Sequence, residues 1–395
     1  MPGIRQTTTQ AVRPGQRSRQ GLKTGHAANQ RMTCRAISHR REKPSRLCCE
    51  RVLCLKNERL SVQTCLLLTL LLVAAMLLCV GAGSVSISPL DTVTALWNAL
   101  WGQETPAGVS RNIILNIRLP RVLNVALVGA ALSLSGAAMQ GLLRNPLADG
   151  STLGVSSGAS LGAVAALAFG VTIPGSAYGG TMLMAMVCAF LSLLLILSLA
   201  YALDKSLATN SIILIGVIFS MFASSVISLI ISFAGEKVRS ITFWTMGSLS
   251  GTSYAHTRIL FLAMVLCGGV ILRCARELNA FAIGEDNARH IGVNVRRVKL
   301  IILVAVSVLI GISVSVSGSI GFVGLVVPHM TRMLAGPNHR RLLPASMFFG
   351  AIFLLLADLA ARTVLSPIEL PIGVITSLVG AAAFVAIFYH SRKAG

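Results

Sequence analysis

The chain consists of long apolar segments separated by short polar ones, and the length of these segments predicts its architecture. A bilayer core of about 30 Å is crossed by roughly 20 residues of α-helix. We therefore expect an all-α polytopic membrane protein with about ten transmembrane helices. The predicted segments are residues 62–83, 119–143, 151–171, 180–202, 210–234, 258–272, 300–316, 319–333, 343–361 and 371–389. Because the eighth is short and contains Pro328, it is predicted to be a short or partly buried helix.

One polar interruption, Arg273 to Lys299, is much longer than the loops between the other apolar segments. It contains an apolar stretch that ends at Ile283, then Gly284 as a helix breaker, then an amphipathic stretch from Glu285 to His290. Two short helices and a turn are predicted here. A segment of this kind is either a solvated loop or a surface that another protein grips. We call it the coupling loop, residues 273–299.

The composition supports membrane insertion and separates off the first 60 residues. The chain is 54% hydrophobic and 12% charged, against roughly 25% charged residues in soluble domains. Its net charge is +21, and residues 1–60 hold 14 Lys/Arg against 3 Asp/Glu. This segment is expected to be a disordered cytoplasmic extension, while a transit peptide or an upstream extension of the reading frame stays open. The remaining chain, residues 61–395, is expected to form the membrane domain.

The positive charges between the spans predict the orientation of the chain. With the leader inside, the cytoplasmic loops carry 13 Lys/Arg and the outer loops carry 7. Positive charge is concentrated on the cytoplasmic side of membrane proteins. The coupling loop and both termini are therefore predicted to be cytoplasmic, and these cations give no reason to expect nucleic acid as a partner.

Small residues recur along two of the predicted spans. Gly154, Gly158 and Gly162 repeat at every fourth position of the third span, which predicts close helix packing. On the fifth span the small residues are Gly216, Ser220, Ser224, Ser228 and Ser232. This second stripe winds around the helix, since each step of four residues turns it by about 40°. It suits either tight packing or the wall of a polar path.

Several motifs of catalysis and energy coupling are absent. There is no G-x-x-x-x-G-K-[ST] loop for nucleotide phosphates, and no H-E-x-x-H, G-x-S-x-G or Cys/His cluster. The nine cysteines form no metal-binding or disulfide framework. These absences argue against an enzyme and against a metal site.

Charged residues near the outer face suggest a contact with another protein. Asp358 is the one acid clearly within a span from the second span onward, and it precedes Arg362 by four residues, the favourable order for a helical ion pair. Arg118 and Arg121 are predicted on the same outer face as Arg362. The three arginines could form a docking ring for an acidic partner.

Long blocks of the sequence resemble the FecCD family, the ten-span permease subunits of ABC importers for ferric siderophores, haem and cobalamin. They include RLPRVLNVALVGAALSLSGAAMQGLLRNPLADG, GEDNARHIGV and ADLAARTVLSPIELPIGV. The resemblance runs from about residue 62 to the C-terminus. It implies the type II ABC importer permease fold in a bacterial inner membrane.

The resemblance also implies partners. A separate ATPase subunit would bind ATP and Mg, so no cofactor is expected in this chain. A second permease subunit, identical or related, would complete the path, and a periplasmic binding protein would deliver the substrate. A ferric siderophore is the preferred substrate, on family frequency alone.

Particular residues match the family's functional positions. The resemblance implies ATPase coupling by Leu278, Phe281, Glu285, Ala288, Arg289 and Gly292. It implies binding-protein docking by Arg118, Arg121 and Arg362. It also implies a path along Ser220, Ser224 and Ser228, with an inner gate at Thr209 and Asn210.

Two other functions remain as alternatives. The first is a secondary transporter driven by an ion gradient, which usually carries a relay of acids or histidines within its spans. The second is a membrane scaffold without transport, which would leave the serine stripe and the outer arginines without a use.

Overall fold

A computed structural model describes residues 60–83, 88–101, 109–174, 179–205 and 209–393 of the chain. The predicted N-terminal extension lies outside these ranges except for residue 60, so its character stays a prediction. The helices of the described part are α1 (Val62–Gly81), α2 (Pro89–Leu100), α3 (Leu119–Leu143), α4 (Val155–Phe169), α5 (Gly179–Leu203), α6 (Thr209–Phe233), α7 (Val238–Thr245), α8 (Tyr254–Arg273), α9 (Ala275–Ala282), α10 (Glu285–His290), α11 (Val295–Ser317), α12 (Val323–Ala335), α13 (His339–Thr363) and α14 (Ile372–Lys393).

Each of the ten predicted spans corresponds to a helix, but the helices differ in length. In the described residues, seven are long and apolar enough to cross a membrane: α1, α3 with the preceding π-helical turn, α5, α6, α8, α11 and α13. Helix α4 has 15 residues, about 22 Å at 1.5 Å per residue, and is shorter than the predicted third span. Helix α12 has 13 residues with Pro328 inside it, as the short eighth segment predicts.

Helix α3 lies at the centre of the fold, and 21 of its 25 residues are buried. It approaches two neighbours at the level of the backbone, where glycines face each other. A Cβ atom at Gly129 would lie 2.4 Å from the carbonyl oxygen of Gly350 in α13. One at Gly136 would collide with the backbone of Gly324 in α12. Helices can pack this closely only where a side chain is absent, and in a bilayer such packing drives their association.

Helices α4, α5 and α6 form a second group beside this centre. Helix α4 packs along α5, and α6 packs on both. The buried face of α6 includes Ile212, Ile215, Gly216 and Ala223. Its other face is exposed in the single chain and available to lipid or to another subunit.

Non-helical backbone between α7 and α8 is paired with other chain segments. The Ser248 N–H donates to the carbonyl oxygen of Ser317 at 2.8 Å, and the Ile372 N–H donates to that of Gly247 at 3.1 Å. These bonds satisfy polar groups that lipid could not satisfy. They close the end of the protein opposite the coupling loop, which we call the opposite end.

Candidate functional site

The coupling loop forms the two short helices that its sequence predicts. Helices α9 and α10 are separated by Gly284, which has φ +112, and α10 is followed by Gly292, which has φ +89. Residues with a Cβ rarely adopt such angles. The two glycines therefore set the turns at either end of α10.

The apolar residues of the coupling loop anchor it to its own chain. Leu278, Phe281 and Ala288 are 0%, 1% and 0% exposed, and α9 packs against α3 and α13. Burial of Leu278 and Phe281 in the apolar stretch, and of Ala288 in α10, argues against direct contact of these side chains with another protein. Any effect they have on coupling would come from holding the loop in place.

A different set of residues forms the exposed surface of the loop. Ile283 and Ile291, which lie on either side of α10, are 60% and 63% exposed. Between them, Asp286 and Arg289 form an exposed ion pair of 3.4 Å, and Gly292 is exposed as well. We call Ile283, Asp286, Arg289, Ile291 and Gly292 the loop surface. Apolar residues ringed by charge are typical of protein contacts.

Neutral hydrogen bonds attach α9 to the start of α13. Asn279 Oδ1 accepts a hydrogen bond from the backbone N–H of His339 at 2.8 Å and lies 2.9 Å from Nδ1 of the His339 ring. The Asn279 Nδ2 group donates to Asn338 Oδ1 at 2.9 Å. The first helix of the loop is thus fixed to a buried span.

An ion pair attaches the second helix. The Lys299 Nζ of α11 lies 2.7 Å from Glu285 Oε1 at the start of α10, with side-chain exposures of 2% and 22%. Thr209, the first residue of α6, donates to the same Glu285 oxygen at 3.2 Å. Burial acts to raise the pKa of Glu285, but the hydrogen bond and charge of Lys299, the Thr209 hydroxyl and the charge of Arg144 together lower it.

The predicted gate residues lie together at this end of α6. Thr209 is half-buried and Asn210 is exposed. The structure therefore brings Thr209 into contact with the coupling loop and leaves Asn210 facing outward. Their role as a gate stays a prediction.

The serines of α6 lie away from its intrachain packing. Ser224 and Ser228 are exposed and Ser220 is half-buried. Their hydroxyl groups bond within the helix: Ser220 donates to the carbonyl oxygen of Gly216 at 2.9 Å, and Ser228 to that of Ser224 at 3.0 Å. Packing within this chain therefore does not account for Ser224 and Ser228, and their role in a polar path stays a prediction.

The three glycines predicted to pack have two different uses. A Cβ atom at Gly158 would lie 2.3 Å from Ser192 Oγ of α5, and one at Gly162 would lie 2.3 Å from the carbonyl oxygen of Met184, also in α5. These two glycines therefore permit close contact between α4 and α5. Gly154 precedes α4 with φ +74. A glycine is required at this position because of the positive φ angle, and because a side chain would crowd nearby α6.

The predicted docking arginines lie together at the opposite end, but two of them are buried. Arg118 is 5% and Arg362 is 4% exposed. Arg118 Nη1 donates to the carbonyl oxygens of Val80 and Gly81 at 3.0 and 2.8 Å. Arg362 Nη2 donates to that of Cys79 at 3.1 Å. These carbonyls end α1, where an α-helix leaves acceptors unpaired and carries partial negative charge.

Asp358 links the remaining arginine to this group. Its Oδ1 lies 2.9 Å from Arg121 Nη2, and its Oδ2 lies 2.9 Å from Arg362 Nε. Arg121 also pairs with Glu369 at 2.9 Å. The prediction of an isolated Asp358–Arg362 pair is therefore incomplete. Arg118 and Arg362 stabilise the end of α1, which argues against their direct contact with a docking partner.

A cavity of about 480 Å³ with a mixed polar and apolar lining lies near the opposite end, between α4, α5, α7, α8 and α11. Its lining includes hydroxyl groups, two aromatic rings and a cation. It is formed in part by Thr181, Arg239, Phe243, Trp244, Ser248 and Ser315. Its volume is in the range of small-molecule sites. No sequence motif indicated it, because its walls come from five helices and a connecting segment.

The described residues contain no group of three or more His, Cys, Asp or Glu that could hold a metal ion. The described cysteines, Cys65, Cys79, Cys188, Cys267 and Cys274, are free. The cysteines of the basic leader lie outside the described residues.

Other residues of these sites carried no signal in the sequence. Lys299 is only one of the predicted cytoplasmic cations, Glu369 lies in a family-like block but was assigned no role, and Asn279 belongs to no motif. Their partners are 14 to 248 residues away. Ile291 is the exception, because it stands next to Gly292 and outside any predicted span, and these two facts together indicate an exposed side chain.

Comparisons with known proteins agree with this arrangement. The FecCD transport family matches residues 70–390. The uncharacterized ABC transporter permease protein YvrB of Bacillus subtilis is 45% identical over 82% of this chain and 92% of its own length. The hemin transport system permease protein HmuU of Yersinia pestis is 37% identical over 84% and 98%. The molybdate import system permease protein MolB of Haemophilus influenzae is 36% identical over 83% and 96%.

A solved structure shares both fold and sequence with the chain. It is an inward-facing conformation of an ABC transporter assigned to the metal-chelate type, with a TM-score of 0.73 and 34% identity. It covers 84% of this chain and 100% of its own length. The chain therefore belongs to the FecCD transport family and is a multi-pass inner-membrane permease subunit of an ABC importer.

Proposed function

We propose that this permease carries a ferric siderophore or a related metal chelate across the inner membrane, driven by a separate ATPase that binds ATP and Mg. The observation that carries the proposal is the loop surface. It presents Ile283 and Ile291 to solvent on either side of α10, in a loop held by buried anchors, as a surface for transmitting force between proteins requires. The coupling loop and both termini would face the cytoplasm, where ATP is available.

Co-purification of the tagged chain with an ATPase tests this partner. Ile283→Asp and Ile291→Asp should each reduce the amount of ATPase recovered, because a charge would replace an apolar contact. Ile368→Asp is the matched control, since Ile368 is 67% exposed at the opposite end. Equal recovery from all three variants would contradict the proposed surface.

A second permease subunit is proposed to pack near the exposed face of α6. This face combines Ser224 and Ser228 with large apolar side chains such as Met221 and Phe222, which are 67% and 61% exposed. The apolar groups would suit a subunit interface or lipid, and the hydroxyl groups would suit a polar path beside it. Cross-linking through Ser228→Cys should give a dimer if both permeases are copies of this chain.

A periplasmic binding protein is proposed to dock at the opposite end. Arg121 is the most accessible of the three predicted arginines, with 12% side-chain exposure, and it already pairs with Asp358 and Glu369. Arg121→Glu should weaken docking more at low salt than at high salt, since surface charge contacts are screened. Docking that is independent of this residue would exclude Arg121 from the contact.

The substrate is the part of the proposal that transport assays decide. Relatives with 35–37% identity are described as permeases for iron(3+)-hydroxamate, hemin and molybdate. Vesicles that contain the chain and its ATPase should take up a ferric hydroxamate in an ATP-dependent manner. Hemin, cobalamin or molybdate should compete with this uptake if they share the site. Uptake by the chain alone under an ion gradient would support the secondary transporter instead.

A further inference from the structure

Three polar side chains from three helices meet at the base of the coupling loop. Glu285 begins α10, Lys299 lies in the second turn of α11, and Thr209 begins α6. The Lys299 Nζ is 2.7 Å from Glu285 Oε1 and 3.5 Å from Thr209 Oγ1. The Thr209 hydroxyl group in turn donates to Glu285 Oε1 at 3.2 Å. One hydroxyl group thus accepts from the cation and donates to the anion.

The burial of Lys299 indicates that this cluster is a fixed contact. The whole residue is 1% exposed, and lysines are almost never fully buried unless they are paired. A buried charge that loses its partner is costly. By contrast, the Asp286–Arg289 pair of the same helix is 88% and 54% exposed, as expected for a pair that contributes little.

The cluster joins elements that otherwise pack with different partners. Helix α10 packs on α9 and α11, whereas α6 packs on α4 and α5. Thr209 brings the start of α6 into direct contact with α10 across 76 residues of sequence. A movement of α10 can therefore pull on two membrane helices at once, through Lys299 on α11 and through Thr209 on α6.

We propose that Glu285, Lys299 and Thr209 form a polar link that transmits displacement of α10 to the start of α6, the helix that carries the exposed serines. The three are positioning residues. The inference rests on the proposed function, because a partner ATPase must supply the displacement of α10.

Thr209→Val separates the link from the rest of the anchor. Valine has nearly the same shape as threonine but lacks the hydroxyl group, so both hydrogen bonds of residue 209 are lost while the Glu285–Lys299 ion pair remains. Lys299→Met is a stronger change that removes the cation itself. Thr69→Val is the matched control, because the Thr69 hydroxyl group bonds within α1 to the carbonyl oxygen of Cys65.

Hydrogen exchange of the full chain with its co-purified ATPase measures the link without any substrate. Amide exchange is compared with and without ATP, Mg and vanadate in peptides covering residues 209–215 and 284–292. In the wild-type complex and in Thr69→Val, nucleotide should change exchange in both peptides. In Thr209→Val the change should persist in the 284–292 peptide and be lost in the 209–215 peptide. Lys299→Met leaves the direct Thr209–Glu285 hydrogen bond in place, so it should reduce the response of the 209–215 peptide without abolishing it.

The outcomes distinguish the link from the function on which it rests. A nucleotide response of residues 209–215 that is the same in Thr209→Val, Lys299→Met and wild type would overturn the link while the proposed function stands. If the wild-type complex shows no response in residues 284–292, or no ATPase co-purifies, the proposed function fails, and the link fails with it.

Discussion

Replacement of Asp358 by asparagine should destabilise the opposite end of the protein strongly. The aspartate lies 2.9 Å from a nitrogen of Arg121 and 2.9 Å from one of Arg362, and the side chains of these three residues are 1%, 12% and 4% exposed. Asparagine is nearly isosteric but uncharged, so the buried Arg362 would lose its acidic partner and Arg121 would keep only Glu369. Removing one partner of a buried ion pair costs about 3–5 kcal/mol. We expect about 3 kcal/mol, since Glu369 still pairs with Arg121, or roughly a hundredfold in the unfolding equilibrium.

Unfolding of the purified chain in mixed micelles, followed by circular dichroism against increasing SDS, measures this change. Asp286→Asn is the control, because its ion pair with Arg289 is exposed, and its midpoint should match the wild type. The reasoning would be refuted if Asp358→Asn and Asp286→Asn unfolded at the same midpoint.

Three further predictions concern packing, titration and the end of α1. Gly136→Leu should prevent folding, because its Cβ would collide with the α12 backbone. Gly269→Ala is the control, since a Cβ there has no neighbour within 4 Å, and it should give a normal monodisperse peak in size-exclusion chromatography. The lowered pKa of Glu285 means that its charged contact stabilises the fold at neutral pH, and that this stabilisation is lost as pH falls below the unperturbed value of 4.5. Glu285→Gln should abolish this pH dependence of the SDS midpoint. If the variant kept the dependence, another titrating group would be its source. Arg118→Met should speed amide exchange at the C-terminal end of α1, because two carbonyl oxygens lose their donor, and unchanged exchange there would contradict that role.

Periodicity and length were sufficient to locate the helices, because the cost of unpaired backbone in lipid makes a long apolar segment helical wherever it packs. The same pattern did not show which helices lie inside the protein. The spans of α3 and α5 are both long and apolar, yet 89% of the most apolar part of the span that contains α3 is buried, against 28% for α5. A uniformly apolar surface is compatible with lipid and with protein, so only the set of neighbouring helices distinguishes the two.

The sequence predicted the positions of the charged residues more accurately than it predicted their contacts. The sequence placed Arg118, Arg121 and Arg362 at one end of the protein, and the structure places them together there. It did not show that the C-terminal carbonyls of α1 accept hydrogen bonds from two of them. Those acceptors belong to the backbone and carry no signature in side-chain identity.

The sequence by itself determined the all-α membrane architecture, the two-helix coupling loop and the resemblance to the FecCD family, because each depends on local pattern or on motif order. Only the tertiary structure decided that Leu278 and Phe281 anchor the loop while Ile283 and Ile291 face outward. It also decided that Lys299 pairs with Glu285 beside Thr209. The physical reason is that burial and ion pairing depend on residues far apart in the chain, which only the packing of complete helices brings together.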